Sequence, residues 1–163
     1  MADAPTVSEL LAPFNDWLGC WEGEGRGLWL SETPFRYRET LTIEGVPDRA
    51  LLRLVQRTWD LGSGQLSHSE AGFLRLLPER QVELVLAIPA GYVELHAGRL
   101  AEGILNLEQH SLSASPTARP LRLVHRRLAL NLDSLRTSVG IAVGPEAVAP
   151  HVEANLHRAP GLE

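Results

Sequence analysis

The sequence predicts an all-β fold, an antiparallel up-and-down β-barrel of about ten strands with a short N-terminal helix. Three observations predict it. Apolar and polar residues alternate along most of the chain after Gly19. Turn-forming Gly, Pro, Asn and Asp residues interrupt these segments at regular spacing. No strand-helix-strand rhythm is present, which argues against a parallel α/β sheet. Because periodicity does not reveal closure, a β-sandwich stays open as an alternative.

The N-terminal segment follows helical rather than strand spacing. Ser8 is a candidate N-cap, Gly19 a candidate end, and Pro13 falls inside the pattern and predicts a break. We expect a short, broken helix that plugs or braces one end of the barrel. The apolar positions that define it are Leu10, Leu11, Phe14, Trp17 and Leu18.

The strands are predicted from alternation with a period of two and from the turns between them. Residues 35–43 show the pattern best, and Gly-Val-Pro-Asp at residues 45–48 ends it. The remaining candidate strands cover residues 18–25, 50–60, 66–76, 81–88, 92–97, 104–111, 121–130, 134–143 and 151–158.

Length and composition indicate one globular domain, which we expect to cover residues 1–163 with residues 1–6 as a loose N-terminus. Hydrophobic residues make up 44 % of the chain, which argues against global disorder. No apolar run is long enough to span a bilayer, and the first residues do not resemble a signal peptide. Cys20 is the single cysteine, so no internal disulfide can form, which favours a cytoplasmic protein.

The charge of the chain argues against nucleic-acid binding. The formal net charge is -5, and all 15 basic residues are arginines scattered along the sequence. Nucleic-acid-binding proteins usually concentrate positive charge on one face. We therefore expect small-molecule ligands and no nucleic-acid or membrane partner, while a symmetric homodimer stays open because such dimers are common.

A glycine-rich motif marks the opening strand, where Gly19, Trp21, Gly23 and Gly25 form a G-x-W-x-G-x-G pattern. No βαβ unit surrounds it, so it is not a dinucleotide-binding fingerprint. Glycines within a strand permit a sharp bend or a close approach of a second backbone. The four tryptophans, Trp17, Trp21, Trp29 and Trp59, are interpreted as core residues or seals of the barrel ends.

This motif and five later segments together resemble the nitrobindin family over about residues 8–158. The segment at residues 68–75, His-Ser-Glu-Ala-Gly-Phe-Leu-Arg, resembles the family's H-x-E-x-G-F-x-R block. The segment at residues 91–94 resembles its T-G-x-V-E segment with the threonine replaced. Residues 34–37, 56–59 and 150–158 resemble its second, third and terminal strands.

The resemblance implies a lipocalin-like or fatty-acid-binding-protein-like barrel that holds heme b in one open end. His151 matches the family's proximal ligand of the heme iron, and Ser31 matches a threonine that contacts the heme. The implied activity is isomerisation of peroxynitrite to nitrate at ferric heme, together with binding of nitric oxide. A single axial imidazole leaves the opposite face of the iron open, so no catalytic residue is expected beyond the iron.

Two further functions stay open at this stage. The same barrel suits a non-enzymatic carrier of a fatty acid or another apolar molecule, in which Arg38 or Tyr37 would meet a carboxylate. A heme-based nitric oxide sensor or transporter without turnover is the other.

The remaining histidines have structural interpretations. His68 and Glu70 lie two residues apart and share a strand face, which favours a hydrogen bond over a metal site with too few ligands. His125 is interpreted as a packed strand position, while His96 and His110 lie near predicted strand ends and receive no role.

The terminal strand carries two histidines in phase. His157 would lie roughly 20 Å from His151, too far for both to bind one iron. Alternation places His151 on the polar side of this strand, with Glu153, so a ligand role requires a position near the barrel rim.

Overall fold

The computed structural model describes residues 3–28 and 33–160, and within them the chain forms ten strands that close into an antiparallel barrel. Each strand pairs with its neighbours along the chain, and the first pairs with the last to close the ring. This confirms the predicted barrel and excludes the sandwich. The strands are β1 Gly19–Gly27, β2 Phe35–Gly45, β3 Leu51–Asp60, β4 Leu66–Leu76, β5 Gln81–Ile88, β6 Tyr92–Ala101, β7 Ile104–Ala114, β8 Leu123–Asn131, β9 Ser134–Ala142 and β10 Ala149–Arg158.

The N-terminal helix α1, Val7–Leu11, begins at a capping box. The Thr6 hydroxyl accepts a hydrogen bond from the backbone N–H of Glu9, and the Glu9 carboxylate accepts one from the backbone N–H of Thr6. The prediction of Ser8 as the N-cap was wrong, because Thr6 stands three residues before the glutamate that completes this reciprocal pair.

The predicted break in the helix is confirmed. Beyond α1 the chain tightens into a 3₁₀ helix, Ala12–Trp17, with Pro13 in its first turn, where a missing N–H costs little. Phe14 and Trp17 are buried among core side chains that include Ile43. The segment therefore plugs one end of the barrel.

Trp21 ties the plug to the first and last strands. Its indole, fully buried, donates a hydrogen bond to the Trp17 carbonyl at 2.9 Å. The Arg158 guanidinium lies 4.4 Å from the centre of the Trp21 ring and donates to the Leu18 carbonyl at 2.8 Å. Trp17 and Trp21 are thus core residues at a sealed end, as predicted.

Alternation fills the barrel interior from each strand. On β5, for example, Val82, Leu84, Leu86 and Ile88 are buried while Val85 between them is 38 % exposed. Among the described residues, no helix is both long and apolar enough to cross a membrane.

Candidate functional site: a cavity at one end of the barrel

The end of the barrel away from the plug contains a cavity of about 520 Å³. Strand β2 connects the two ends of the barrel, because it runs from Phe35 in the cavity wall to Ile43 beside the plug. The volume falls within the range of roughly 300–1,000 Å³ that small-molecule sites occupy.

Apolar side chains form most of the cavity wall. They come from β2, β5, β9 and β10 and from the loops that flank β8 and β9. Such a wall excludes water from a planar apolar ligand and strengthens any electrostatic interaction inside. These residues are Phe35, Ile88, Leu121, Val139, Ile141, Val143 and Val152.

Two glycines of β1 make room for the aromatic part of this wall. A β-carbon on Gly25 would lie 2.3 Å from Cζ of Tyr37, and one on Gly27 would lie 2.0 Å from Cε1 of Phe35. Each ring therefore occupies the space next to the backbone of the neighbouring strand that a side chain would fill. Gly25 thus shapes the pocket through the side chain that it admits.

The other motif residues have a structural role at the same strand. A β-carbon on Gly23 would lie 2.0 Å from the Asn155 carbonyl oxygen of β10, so the two backbones approach too closely for any side chain. Gly19 has a φ of +129°, in the region that favours glycine. The predicted close approach of a second backbone is found at Gly23.

His151 reaches the cavity through a β-bulge. Pro150 pairs with Gly140 and Val152 with Val139, so His151 is an extra residue opposite β9. Both His151 and Val152 consequently line the cavity, although neighbours in a regular strand face opposite sides.

This bulge corrects the expectation that alternation keeps His151 on the polar side of β10. Beyond the bulge the strand is regular, with Ala154 and Leu156 buried. Glu153 faces outward, where it pairs with Arg26 and Arg136. Strict alternation from Glu153 would place the His151 side chain on the outer face. The extra residue of the bulge turns it to the inner face instead.

The surroundings of His151 favour the neutral imidazole. Burial, together with the positive charges of His68 and Arg126, lowers the pKa of His151 to about 4. A neutral imidazole is the form that binds iron. The His151 carbonyl also accepts a hydrogen bond from the Leu28 N–H at 2.6 Å, which fixes the bulge to the chain after β1.

The cavity floor contains a buried cluster of charged groups around Arg126. The guanidinium donates to both carboxylate oxygens of Glu70, at 2.8 and 2.9 Å, and through Nε to Glu94 at 2.7 Å. His96 is hydrogen-bonded to Glu94 at 2.8 Å, and His68 is hydrogen-bonded to Glu70 at 3.2 Å. We call these five residues the Arg126 cluster. The predicted hydrogen bond between His68 and Glu70 is confirmed.

Charge compensation keeps both carboxylates of the cluster ionised. Burial alone would raise the pKa of Glu70, but Arg126 and His68 together lower it to about 2. Burial acts in the same way on Glu94, where the hydrogen bond from His96 and the charge of Arg126 lower the pKa instead. The cluster thus holds fixed charges against the apolar cavity.

Glu39 is a third buried carboxyl group, below the cavity. It accepts hydrogen bonds from Gln56 at 2.6 Å and from Thr137 at 3.3 Å, with no ion pair to a cation among the described residues. Burial raises its pKa to about 7 against the effect of these two hydrogen bonds. Glu39 is therefore largely protonated in mildly acidic solution.

Several predicted positions differ in the structure. Arg38 lies on the outer face, with its guanidinium 4.3 Å from the centre of the Trp59 ring, so it does not face the cavity. Trp59 is half-buried beneath it and is neither core nor seal. His125 is exposed on β8 rather than packed. Ser31 and Trp29 lie outside the described residues.

His96 was misplaced by the sequence analysis. It was predicted near a strand end, but β6 continues to Ala101 and leaves His96 fully buried in the middle of the strand. Arg126 was missed because it stands beside Arg127, and an adjacent pair of arginines normally indicates a solvated surface. The available signal was alternation on β8, which places Arg126 on the same face as the buried Val124.

The chain matches a known protein family over nearly its whole length. The THAP4-like, heme-binding beta-barrel domain family matches residues 10–158. This chain belongs to that family. Glu70 and Glu94 each belong to a segment that resembles nitrobindins. In this family member both carboxylates accept hydrogen bonds from Arg126.

Individual relatives agree with this assignment. The chain is 37 % identical to peroxynitrite isomerase 1 of Rhodococcus jostii over 155 residues, covering 94 % of this chain and 85 % of that protein. It is 32 % identical to peroxynitrite isomerase 2 of Mycobacterium avium, covering 91 % and 94 %. The crystal structure of Rv2717c from M. tuberculosis superposes with a TM-score of 0.85 at 29 % identity, covering 97 % of this chain and all of that one.

The residues of this family member fit a heme. The cavity wall is mostly apolar, and the neutral imidazole of His151 is part of it. Within the described residues no group of three or more His, Cys, Asp and Glu side chains is arranged to hold a bare metal ion. Because a porphyrin supplies four nitrogen ligands itself, one histidine is enough for heme iron.

Proposed function

We propose that this protein binds heme b with His151 as the iron ligand, isomerises peroxynitrite to nitrate at the ferric iron, and binds nitric oxide at the same site. The observation that carries the proposal is the bulge that turns His151 into an apolar cavity. The names of the relatives from R. jostii and M. avium support the reaction.

When bound, ferric heme would supply the iron chemistry of the isomerisation. The chain itself contributes binding and exclusion of water. His151 provides a neutral nitrogen, and the apolar side chains of the cavity wall, among them Phe35 and Val152, would contact the porphyrin. Ser31, which lies outside the described residues, remains a predicted heme contact.

The fatty-acid carrier is the weaker alternative. Such a carrier needs a buried cation or hydroxyl group for the ligand carboxylate. Arg38 points away from the cavity, and the Arg126 guanidinium already bonds the carboxylates of Glu70 and Glu94. Tyr37 lines the cavity and is the remaining candidate of the two, since its hydroxyl group could meet a carboxylate.

Location and assembly are part of the same proposal. We expect residues 1–163 to act as a single domain in the cytoplasm, where a lone Cys20 stays reduced. A homodimer remains a prediction.

Hemin titration of the purified protein tests the ligand assignment. The native protein is expected to give a Soret band with a defined stoichiometry, and His151→Ala is expected to weaken hemin binding at least tenfold. His157→Ala is the matched control, because it lies on the same strand with an exposed side chain. Unchanged hemin affinity and spectrum in His151→Ala would contradict the assignment.

Stopped-flow measurements then test the reaction. The hemin-loaded protein is expected to accelerate peroxynitrite decay, with nitrate as the product, and to bind nitric oxide. Nitric oxide binding without any acceleration of peroxynitrite decay would instead indicate a sensor or transporter.

A further inference from the structure

Three members of the Arg126 cluster line the cavity, namely His68, Glu70 and Arg126. The His68 side chain is 40 % exposed, whereas those of Glu70 and Arg126 are 8 % and 10 % exposed. His68 is therefore the most accessible member of the cluster to a ligand in the cavity.

Glu70 determines which nitrogen of His68 carries hydrogen. An ionised carboxylate only accepts hydrogen bonds, and Glu70 is held ionised by Arg126. The contact of 3.2 Å between His68 Nε2 and Glu70 Oε2 therefore requires the hydrogen on Nε2. In the neutral ring the basic lone pair is then on Nδ1.

The carboxylate also orients the His68 ring. A histidine that donates from one nitrogen to a carboxylate is held in one orientation by it. Glu70 cannot rotate away, because Arg126 holds both of its oxygens and Glu94 holds Arg126. Glu70, Arg126 and Glu94 are positioning residues in this arrangement.

We propose that His68 is the proton-accepting group of the cavity, which takes the proton from a weak acid that enters as its neutral form and binds as its anion. This inference rests on the proposed heme function. For peroxynitrous acid, the O–H bond breaks, the proton passes to His68 Nδ1, and peroxynitrite remains for isomerisation. The proton then leaves to solvent from the part-exposed ring.

The association rates of two ligands with the hemin-loaded protein distinguish an effect on proton transfer from an effect on access to the iron. Hydrogen cyanide must lose a proton when it binds ferric iron, whereas nitric oxide has none to lose. His68→Ala is expected to slow cyanide association by roughly 100-fold, the lower end of general base effects, and to leave nitric oxide association unchanged. His68→Gln keeps a polar side chain of similar reach without a basic nitrogen and should behave like His68→Ala. His110→Ala, on the exposed face of β7, is the control.

Nitrogen-15 NMR of the heme-free protein tests the orientation independently. We expect neutral His68 to carry its hydrogen on Nε2, and a ring with the hydrogen on Nδ1 would overturn the proposal.

Equal changes in the cyanide and nitric oxide association rates of His68→Ala would also overturn the proposal, since they would indicate an altered cavity shape. So would a six-coordinate spectrum that His68→Ala abolishes, because His68 would then be an iron ligand. If the native protein binds no hemin, the heme function fails and this inference fails with it, whereas failure with hemin bound concerns His68 alone.

Discussion

The ring of Tyr37 occupies the space in which Gly25 would carry a β-carbon, 2.3 Å from its Cζ atom. A glycine of the opening motif is thus paired with an aromatic residue of the cavity wall across β1 and β2. The pairing explains why a strand that closes the barrel has a position without a side chain.

Gly25→Ala is expected to destabilise the protein by roughly 1–3 kcal/mol, because the added methyl group meets a filled space. In a Tyr37→Leu background the same change should cost less, with a coupling energy of roughly 0.5–3 kcal/mol. Chemical denaturation of the four proteins of this cycle measures it. Gly45→Ala is the control, since a β-carbon there meets nothing within 4 Å. Additive effects of the two substitutions would refute the pairing.

Arg126→Met is expected to reduce stability by about 3–5 kcal/mol, because it leaves Glu70 and Glu94 buried without their cation. Adding Glu70→Gln and Glu94→Gln to this variant should recover part of the loss by removing the uncompensated charges. Arg53→Met serves for comparison, since Arg53 pairs with Glu44 on the surface, where an ion pair contributes about 0–1 kcal/mol. Similar losses of stability in Arg126→Met and Arg53→Met would contradict the larger cost expected from removing a buried cation.

Glu39→Gln is expected to stabilise the protein increasingly as the pH rises from about 5 to 8. The folded-state pKa of Glu39 is raised from 4.5 to about 7, so the folded protein binds more protons than the unfolded chain between these values, and stability falls as pH rises. Glutamine mimics the protonated carboxyl and removes this penalty, which reaches roughly 3 kcal/mol at about 1.36 kcal/mol per pKa unit.

Urea denaturation at several pH values measures this effect. The variant and the native protein should have similar stability near pH 4.5 and diverge above pH 6. Glu44→Gln is a suitable control, because Glu44 lies exposed on the same strand. A stability difference that does not change with pH would contradict the raised pKa.

The sequence by itself determined the number of strands and their approximate positions. Alternation along β2 and β5 follows from one buried and one exposed face, and glycine and proline turns separate the strands. His151 could be selected because a family resemblance marks it, although alternation pointed it the wrong way. Local patterns suffice for these features because each depends on a few neighbouring residues.

Only the tertiary structure decided how His151, His68 and Arg126 face one cavity. The bulge at His151 is a property of the pairing between β9 and β10, and no residue pattern within β10 reveals it. The Arg126 cluster joins residues from β4, β6 and β8, and Arg126 is 56 positions from Glu70 and 32 from Glu94. Arg126 can be buried because these two carboxylates from other strands compensate its charge. Contacts between distant segments arise from barrel closure, which brings side chains together without leaving a local signal in the chain.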